Sequence, residues 1–157
     1  MTPRKFLETI VRPNVDDFHT HFADLRHAHN AISALDALAA HIYVWATTNN
    51  PPAVASSGDD NDYRRDLAAR NQNFSLLRDI AKAQKHVHLL RGKPQISRAD
   101  QIISRPIEYG EGDFGEGHFG GVEQMIVEID ANTFSYVENV IDDAIRFLEA
   151  EMEAINA

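Results

Sequence analysis

Apolar residues recur along much of this chain at steps of three and four, the spacing that gathers them on one face of a helix. Phe18, Phe22, Leu25, Ala28, Ile32, Leu35, Ala39, Ile42 and Ala46 make the longest such stripe, and it predicts a helix from about Val15 to Thr47. Asn14 is the expected N-cap, with Asp16 and Asp17 in the first turn, where the helix dipole favours negative charge. His29 and Asn30 are mediocre helix formers, so a break near Asn30 would divide the element in two. The run Asn49-Asn50-Pro51-Pro52 ends it, because proline has no amide to donate and restricts the residue before it.

A small, polar, proline-containing stretch up to Asp60 reads as an exposed loop. A second helix is expected from about Asp62 to Arg70. Asn71 to Asn73 interrupt it and offer a new cap. The next helix, about Phe74 to Leu89, carries Leu76, Ile80, Ala83, Val87 and Leu90 on one stripe. Gly92 suits a left-handed position past its end, and Pro94 stops it. The pattern then shortens and begins to alternate over Ile96–Ile107 and Val122–Asp130. Met125, Val127 and Ile129 fall on one side there, with Gln124 and Glu128 on the other. These are expected as two antiparallel strands of a hairpin, with Pro106 at an edge or a bulge. Ser135 followed by Glu138 forms a capping-box pattern. Phe134, Val137, Ile141, Ala144, Leu148, Met152 and Ile155 then give a last amphipathic helix, with Asp142, Asp143, Glu149 and Glu153 turned to water. The predicted fold is mostly α. It is a helical bundle of four to five helices with a β-hairpin, about residues 96–130, inserted before the C-terminal helix, all within one domain spanning 1–157.

Composition is consistent with that fold: 157 residues with 43% apolar content suffice for one continuous core. No run approaches the ~18 apolar residues of a membrane-spanning helix, and the N-terminus lacks a signal-peptide core. The absence of cysteine excludes disulfides, thiolate metal sites and a cysteine nucleophile. A cytoplasmic setting is expected. The net charge of −9 argues against attraction of the whole molecule to nucleic acid or anionic membrane. That charge is unevenly placed. Residues 1–62 hold four basic and eight acidic side chains, residues 63–105 ten basic and three acidic, and residues 106–157 one basic and thirteen acidic. Two uses fit the division: a basic middle lying against the acidic C-terminal helix, or a face that binds anions.

Three groups of residues could carry chemistry. Tyr109-Gly110-Glu111-Gly112-Asp113 is followed by Phe114-Gly115-Glu116-Gly117-His118 and Phe119-Gly120-Gly121. Glycines at this density permit close backbone approach. The neighbouring carboxylates and the strand that follows disfavour a phosphate cradle. Calcium binding is conceivable from Glu111, Asp113 and Glu116, but their spacing matches neither an EF-hand nor a repeat-in-toxin nonapeptide. A structured hairpin loop, with Tyr109, Phe114, His118 and Phe119 available to a partner, is the main expectation. The eight histidines include the pairs His19/His21, His27/His29 and His86/His88. Helical residues two apart point ~200° from each other and cannot chelate one ion. Asp16 with His19 and Asp24 with His27 have neighbour spacing but sit away from the stripe, so neither metal nor cofactor is expected. His29 and Asp36, seven apart, could meet inside the bundle. Finally, Arg78, Lys82 and Lys85 make a positive edge on the helix after Asn71, and Asp79, Lys82 and His86 are spaced as neighbours. An Arg and a His within reach of one phosphodiester could stabilise charge and move protons without a metal.

The run Arg78-Asp79-Ile80-Ala81…Lys85-His86, with the glycine-and-aromatic hairpin and the final amphipathic helix, resembles a group of uncharacterised bacterial helical-bundle proteins over nearly the whole chain. More loosely, it resembles the HEPN (higher eukaryotes and prokaryotes nucleotide-binding) superfamily, many members of which are metal-independent ribonucleases of toxin or defence systems that act as dimers. That resemblance implies Arg78, Asp79 and His86 as catalytic residues, although seven residues separate Arg78 from His86 where that family's motif has four to six. Three readings follow, the least favoured being a bundle that binds a metal or small ligand through its histidines or the acidic loop. The first is a non-enzymatic domain that binds a protein partner or RNA, as a possible homodimer, with Lys82, Lys85 and the loop aromatics as contacts. The second is a HEPN-like endoribonuclease.

Overall fold

The computed structural model describes residues 1–106 and 122–157. The glycine repeat and its Tyr109, Phe114, His118 and Phe119 lie outside the described residues. The chain enters a helix almost at once. Thr2 Oγ1 accepts from the Lys5 amide, and Pro3 occupies the first turn, where its missing amide is harmless. Helix α1 (Pro3–Phe6), a π-helical turn over Leu7–Val11 and α2 (Arg12–Thr20) run on as one rod. The π turn precedes Pro13, and the Arg12 amide reaches back five residues to Leu7 O. Leu7, Val11, Val15 and Phe18 are buried along this rod. Asn14 is therefore mid-helix rather than a cap, and its Nδ2 donates to Ile10 O.

The expected long helix also divides elsewhere than at Asn30. The chain breaks at His21–Asp24, and Asp24 caps the next helix by accepting from the Arg26 amide at 2.8 Å. That bond, first among the causes, holds the Asp24 carboxyl below its ordinary pKa. Helix α3 (Leu25–Asn49) is the centre of the molecule, in contact with the N-terminal rod and with each later helix. Ala28, Ala31, Ala34, Ala39 and Ala46 are buried on it beside Ile32, Leu35, Leu38 and Ile42. Its small side chains let neighbours approach on several sides.

A short 3₁₀ turn at Pro51–Val54 leads to α4 (Asp60–Arg70), capped by Asp59, and then to α5 (Gln72–His86). Asn71 ends α4 and starts α5, with its Oδ1 accepting from the Phe74 amide at 2.7 Å. Helix α5 stops three residues before the expected Leu89. Val87 and Leu90 lie outside the stripe and are exposed, whereas Leu76, Ile80 and Ala83 are buried.

The hairpin is present and has a third member. Strand β1 (Ile102–Pro106) pairs antiparallel with β2 (Glu123–Asp130), from Ile102 opposite Val127 to Pro106 opposite Glu123. Strand β3 (Thr133–Tyr136) pairs with the other edge of β2 across a bulge at Glu128/Asp130. Ser135 and Phe134 therefore belong to a strand, and the expected capping box does not form. Helix α6 (Val137–Ile155) begins after Tyr136 without a side-chain cap. Val137, Ile141, Ala144, Leu148, Met152 and Ile155 are buried as expected. Gln124, expected on the outer side of β2, is buried as well. The result is mostly α, a bundle with a small antiparallel sheet before its last helix.

The acidic side of α6 meets protein rather than water over much of its length. Arg12 pairs with Glu149 and His19 with Asp142, contacts seven residues apart on both helices, so α2 runs antiparallel along α6. Asp143 Oδ2 accepts from Asn71 and Asn73, and Glu151 accepts from Arg70 and Tyr63. The Tyr63 phenol is pushed up by burial and then by the nearby Glu151. The basic middle of the chain thus does lie against the acidic end at Arg70.

One carboxylate sits inside the bundle. Asp36 of α3 is 4% exposed, and its Oδ2 accepts from Arg64 Nη1 at 2.9 Å, with Lys85 Nζ at 3.8 Å. Arg64 also holds Asp60 at 2.6 Å. The expected His29–Asp36 contact is not made: Arg64 takes Asp36 Oδ2, while Asp36 Oδ1 is buried with no hydrogen-bond partner among the described residues. His29 Nε2 is buried without a hydrogen-bond partner among the described residues.

Two outcomes follow. Arg64→Ala removes the hydrogen-bonded partner of a buried carboxylate, leaving it only the more distant Lys85, and is expected to lower urea-unfolding stability by about 3 kcal/mol. Asp36→Ala, which leaves Arg64 its Asp60 partner, is expected to lower it less; equal losses would contradict this account. Burial lowers the His29 pKa below the ordinary 6.5, so the unfolded chain takes up its proton more readily. Stability is therefore full above about pH 6.5 and falls as pH drops below it. His41, lowered by burial in the same way, adds to that slope. His29→Leu is expected to flatten the fall between pH 7.5 and 5.5, measured by urea unfolding at both.

Candidate anion-binding cleft

Helices α4 and α5 pack closely because Asn71 joins them without a linker, and a surface cleft of about 380 Å³ opens beside them. Its other wall is the segment after α5. Val87 ends that helix at φ 62° and ψ −46°, in the tight γ-turn in which the His88 amide donates to His86 O at 2.6 Å. The chain then doubles back. The Leu89 amide donates to Ser97 O and the Ala99 amide to Val87 O, with His88 opposite Arg98. The tip of this flap is Arg91-Gly92-Lys93. Gly92 stands at φ 83°, the left-handed region where a side chain is strained.

Five cations line the cleft: Arg65, Arg78, Lys82, Arg91 and Lys93. The acid among the lining residues is Asp79, and it is already engaged. Its Oδ2 accepts from the Gln95 amide at 2.9 Å, pinning the flap to α5, and Lys82 Nζ lies 3.7 Å from Oδ1. Arg78 is 6% exposed. Its Nη2 donates to the Asn61 carbonyl at 3.1 Å and to Asn61 Oδ1, while its Nε is buried with no partner among the described residues. Burial and then the neighbouring Arg64 lower the Arg78 pKa; burial and then Arg78 lower that of Lys82. Both directions record positive charge held partly out of water without full compensation. An anion entering the cleft would supply it.

The structure brings Arg78, Asp79 and Lys82 together. It sends Lys85 towards Asp36, so the positive edge of α5 is divided between the cleft and the buried carboxylate. His86 is exposed on the last turn of α5, outside the cleft lining. Eight residues of helix place it about 12 Å along the axis from Arg78. Sequence reasoning missed Arg65, Arg91 and Lys93 as site residues. They were visible only as part of the basic excess of residues 63–105, since nothing in their spacing announces the fold-back at Val87. Among the histidines, His27 stands 3.9 Å from Asp24, and His21 stacks on His27 at 4.7 Å. His19 faces Asp142 on α6 instead of Asp16.

No protein-family model, curated protein or solved structure matches this chain. Among the described residues no helix is long and apolar enough to cross a membrane.

Val87 is β-branched and 70% exposed, so its side chain gains little from burial while its backbone is strained. Val87→Gly is expected to raise stability by about 1 kcal/mol, read as a higher urea midpoint with an unchanged slope. A loss of stability would show that the side chain supports the turn.

Proposed function

We propose that this protein is a non-enzymatic binding module that holds an acidic segment of a partner protein in the cleft between α4, α5 and the Arg91–Lys93 flap. The observation that carries this reading is the buried Arg78, with an unpartnered Nε, in a cleft lined by four further cations and one engaged acid. Guanidinium groups suit carboxylate and phosphate oxygens, which they meet with paired donors. The rest of the molecule favours a short acidic segment over a long polyanion. With a net charge of −9, the molecule as a whole repels an extended nucleic-acid strand. The position of His86 away from the cleft also favours binding over phosphodiester cleavage.

Fluorescence anisotropy with a labelled Glu/Asp-rich peptide, a phosphoserine-containing acidic peptide and a single-stranded RNA tests the reading. At least one peptide is expected to bind more tightly than the RNA, with affinity falling as salt rises. Arg91→Glu with Lys93→Glu is expected to weaken peptide binding by about tenfold or more, and His86→Ala to leave it unchanged. Preferential RNA binding would overturn the proposal. So would RNA cleavage that His86→Ala abolishes, which would assign the ribonuclease reading instead.

A further inference from the structure

A second cluster lies away from the cleft residues, where the last turn of α2 meets the first turns of α6. Glu138 and Asp142 stand four residues apart on α6 and so share one face. His19 of α2 faces them. One ligand atom from each of the three lies within 4.8 Å of the other two. His19 Nε2 is 2.8 Å from Asp142 Oδ1, and the side chains of His19 and Asp142 are 38% and 39% exposed.

We propose that His19, Glu138 and Asp142 form a binding site for one divalent transition-metal ion, Zn²⁺ in the first instance. The geometry sets the limit. Three atoms no more than 4.8 Å apart always leave a point within about 2.8 Å of each. Metal–nitrogen and metal–oxygen bonds of about 2.0–2.2 Å are then reached by side-chain shifts of under an ångström, with no backbone movement. The charge also fits. Two carboxylates with a neutral imidazole carry −2, which a divalent ion cancels. The imidazole favours zinc and its first-row neighbours over calcium or magnesium, which prefer all-oxygen sets. Half-exposed side chains let the ion enter the folded protein and leave positions open for water. The His19–Asp142 contact sets two of the ligands side by side before the metal arrives; the ion then takes the place of the hydrogen between Nε2 and Oδ1, which moves to Nδ1 or to solvent.

The test uses tag-free full-length protein, stripped with EDTA and titrated calorimetrically with ZnCl₂ at pH 7.5. One ion per chain is expected. His19→Ala and Asp142→Asn are each expected to lower the affinity by about 100-fold or more, while His86→Ala, which alters an exposed histidine elsewhere, leaves it unchanged. Zinc is expected to raise the melting temperature of the parent protein and not that of His19→Ala. Glu138→Gln keeps the His19–Asp142 pair, so it reports on the metal even if the other variants fold poorly; it too is expected to weaken binding. A silent titration of the parent protein would overturn the proposal and leave His19–Asp142 as an ion pair only. Binding that survives both His19→Ala and Glu138→Gln would overturn it as well. Neither result bears on the peptide titration, which depends on other residues.

Discussion

The arrangement of the basic helices rests on one buried carboxylate. Asp36 occupies the middle of α3, the helix that every other helix touches, and a charge there must be met by cations brought in from outside. Arg64 arrives from α4 and Lys85 from α5. Two helices that could otherwise slide along an alanine-rich surface are thereby fixed in rotation and height. Of the other cations on the same helices, Arg70 turns to Glu151, and Arg65, Arg78 and Lys82 are left on the side that becomes the cleft. The buried ion pair and the cationic cleft are thus two sides of one decision about how α4 and α5 lie on α3.

The acidic end of the chain solves a different problem. Helix α6 carries more negative charge than one exposed face would need, and it distributes that charge among its neighbours. Glu149 and Asp142 take Arg12 and His19 of the N-terminal rod, while Asp143 and Glu151 take the α4–α5 junction through Asn71, Asn73, Arg70 and Tyr63. The burial of Leu148, Met152 and Ile155 brings α6 into the core, and the polar contacts set its register there. Charge segregation along the sequence becomes pairing in space at Arg70 and Glu151 and, among the described residues, a surplus without an ion-pair partner at Arg91 and Lys93.

Much of the architecture was legible because it follows from periodicity. The middle of α3, the stripe of α6 and the pairing of β1 with β2 are all written in apolar spacing. What escaped was local backbone chemistry. Pro13 reads as a helix boundary, yet the π turn before it lets the rod continue, so Leu7, Val11 and Val15 were not seen as core. Phe18, Phe22 and Leu25 keep a helical step across His21–Asp24 although the chain breaks there, because hydrophobic spacing does not register a capping aspartate. Ser135 and Glu138 satisfy a capping pattern, yet Ser135 is claimed by the edge of β2. Of the site, the cluster on α5 was legible as helical neighbours. The contributions of α4 and of the flap were not, since they depend on a turn that a valine adopts against its own preference. His19 with Glu138 and Asp142 was equally hidden, lying more than a hundred residues apart in sequence.

The two walls of the cleft are made differently. Arg78 and Asp79 belong to a helix whose other face is core, so changing them disturbs the fold. Arg91 and Lys93 hang from a flap paired at its base, at Val87–Ala99 and Leu89–Ser97, and pinned to α5 through the Gln95 amide, with open space around Gly92 between these anchors. Substitutions at the tip therefore change the charge presented to the cleft with little folding penalty. The electrostatic character of this wall can drift over evolutionary time while the scaffold that presents it stays constant.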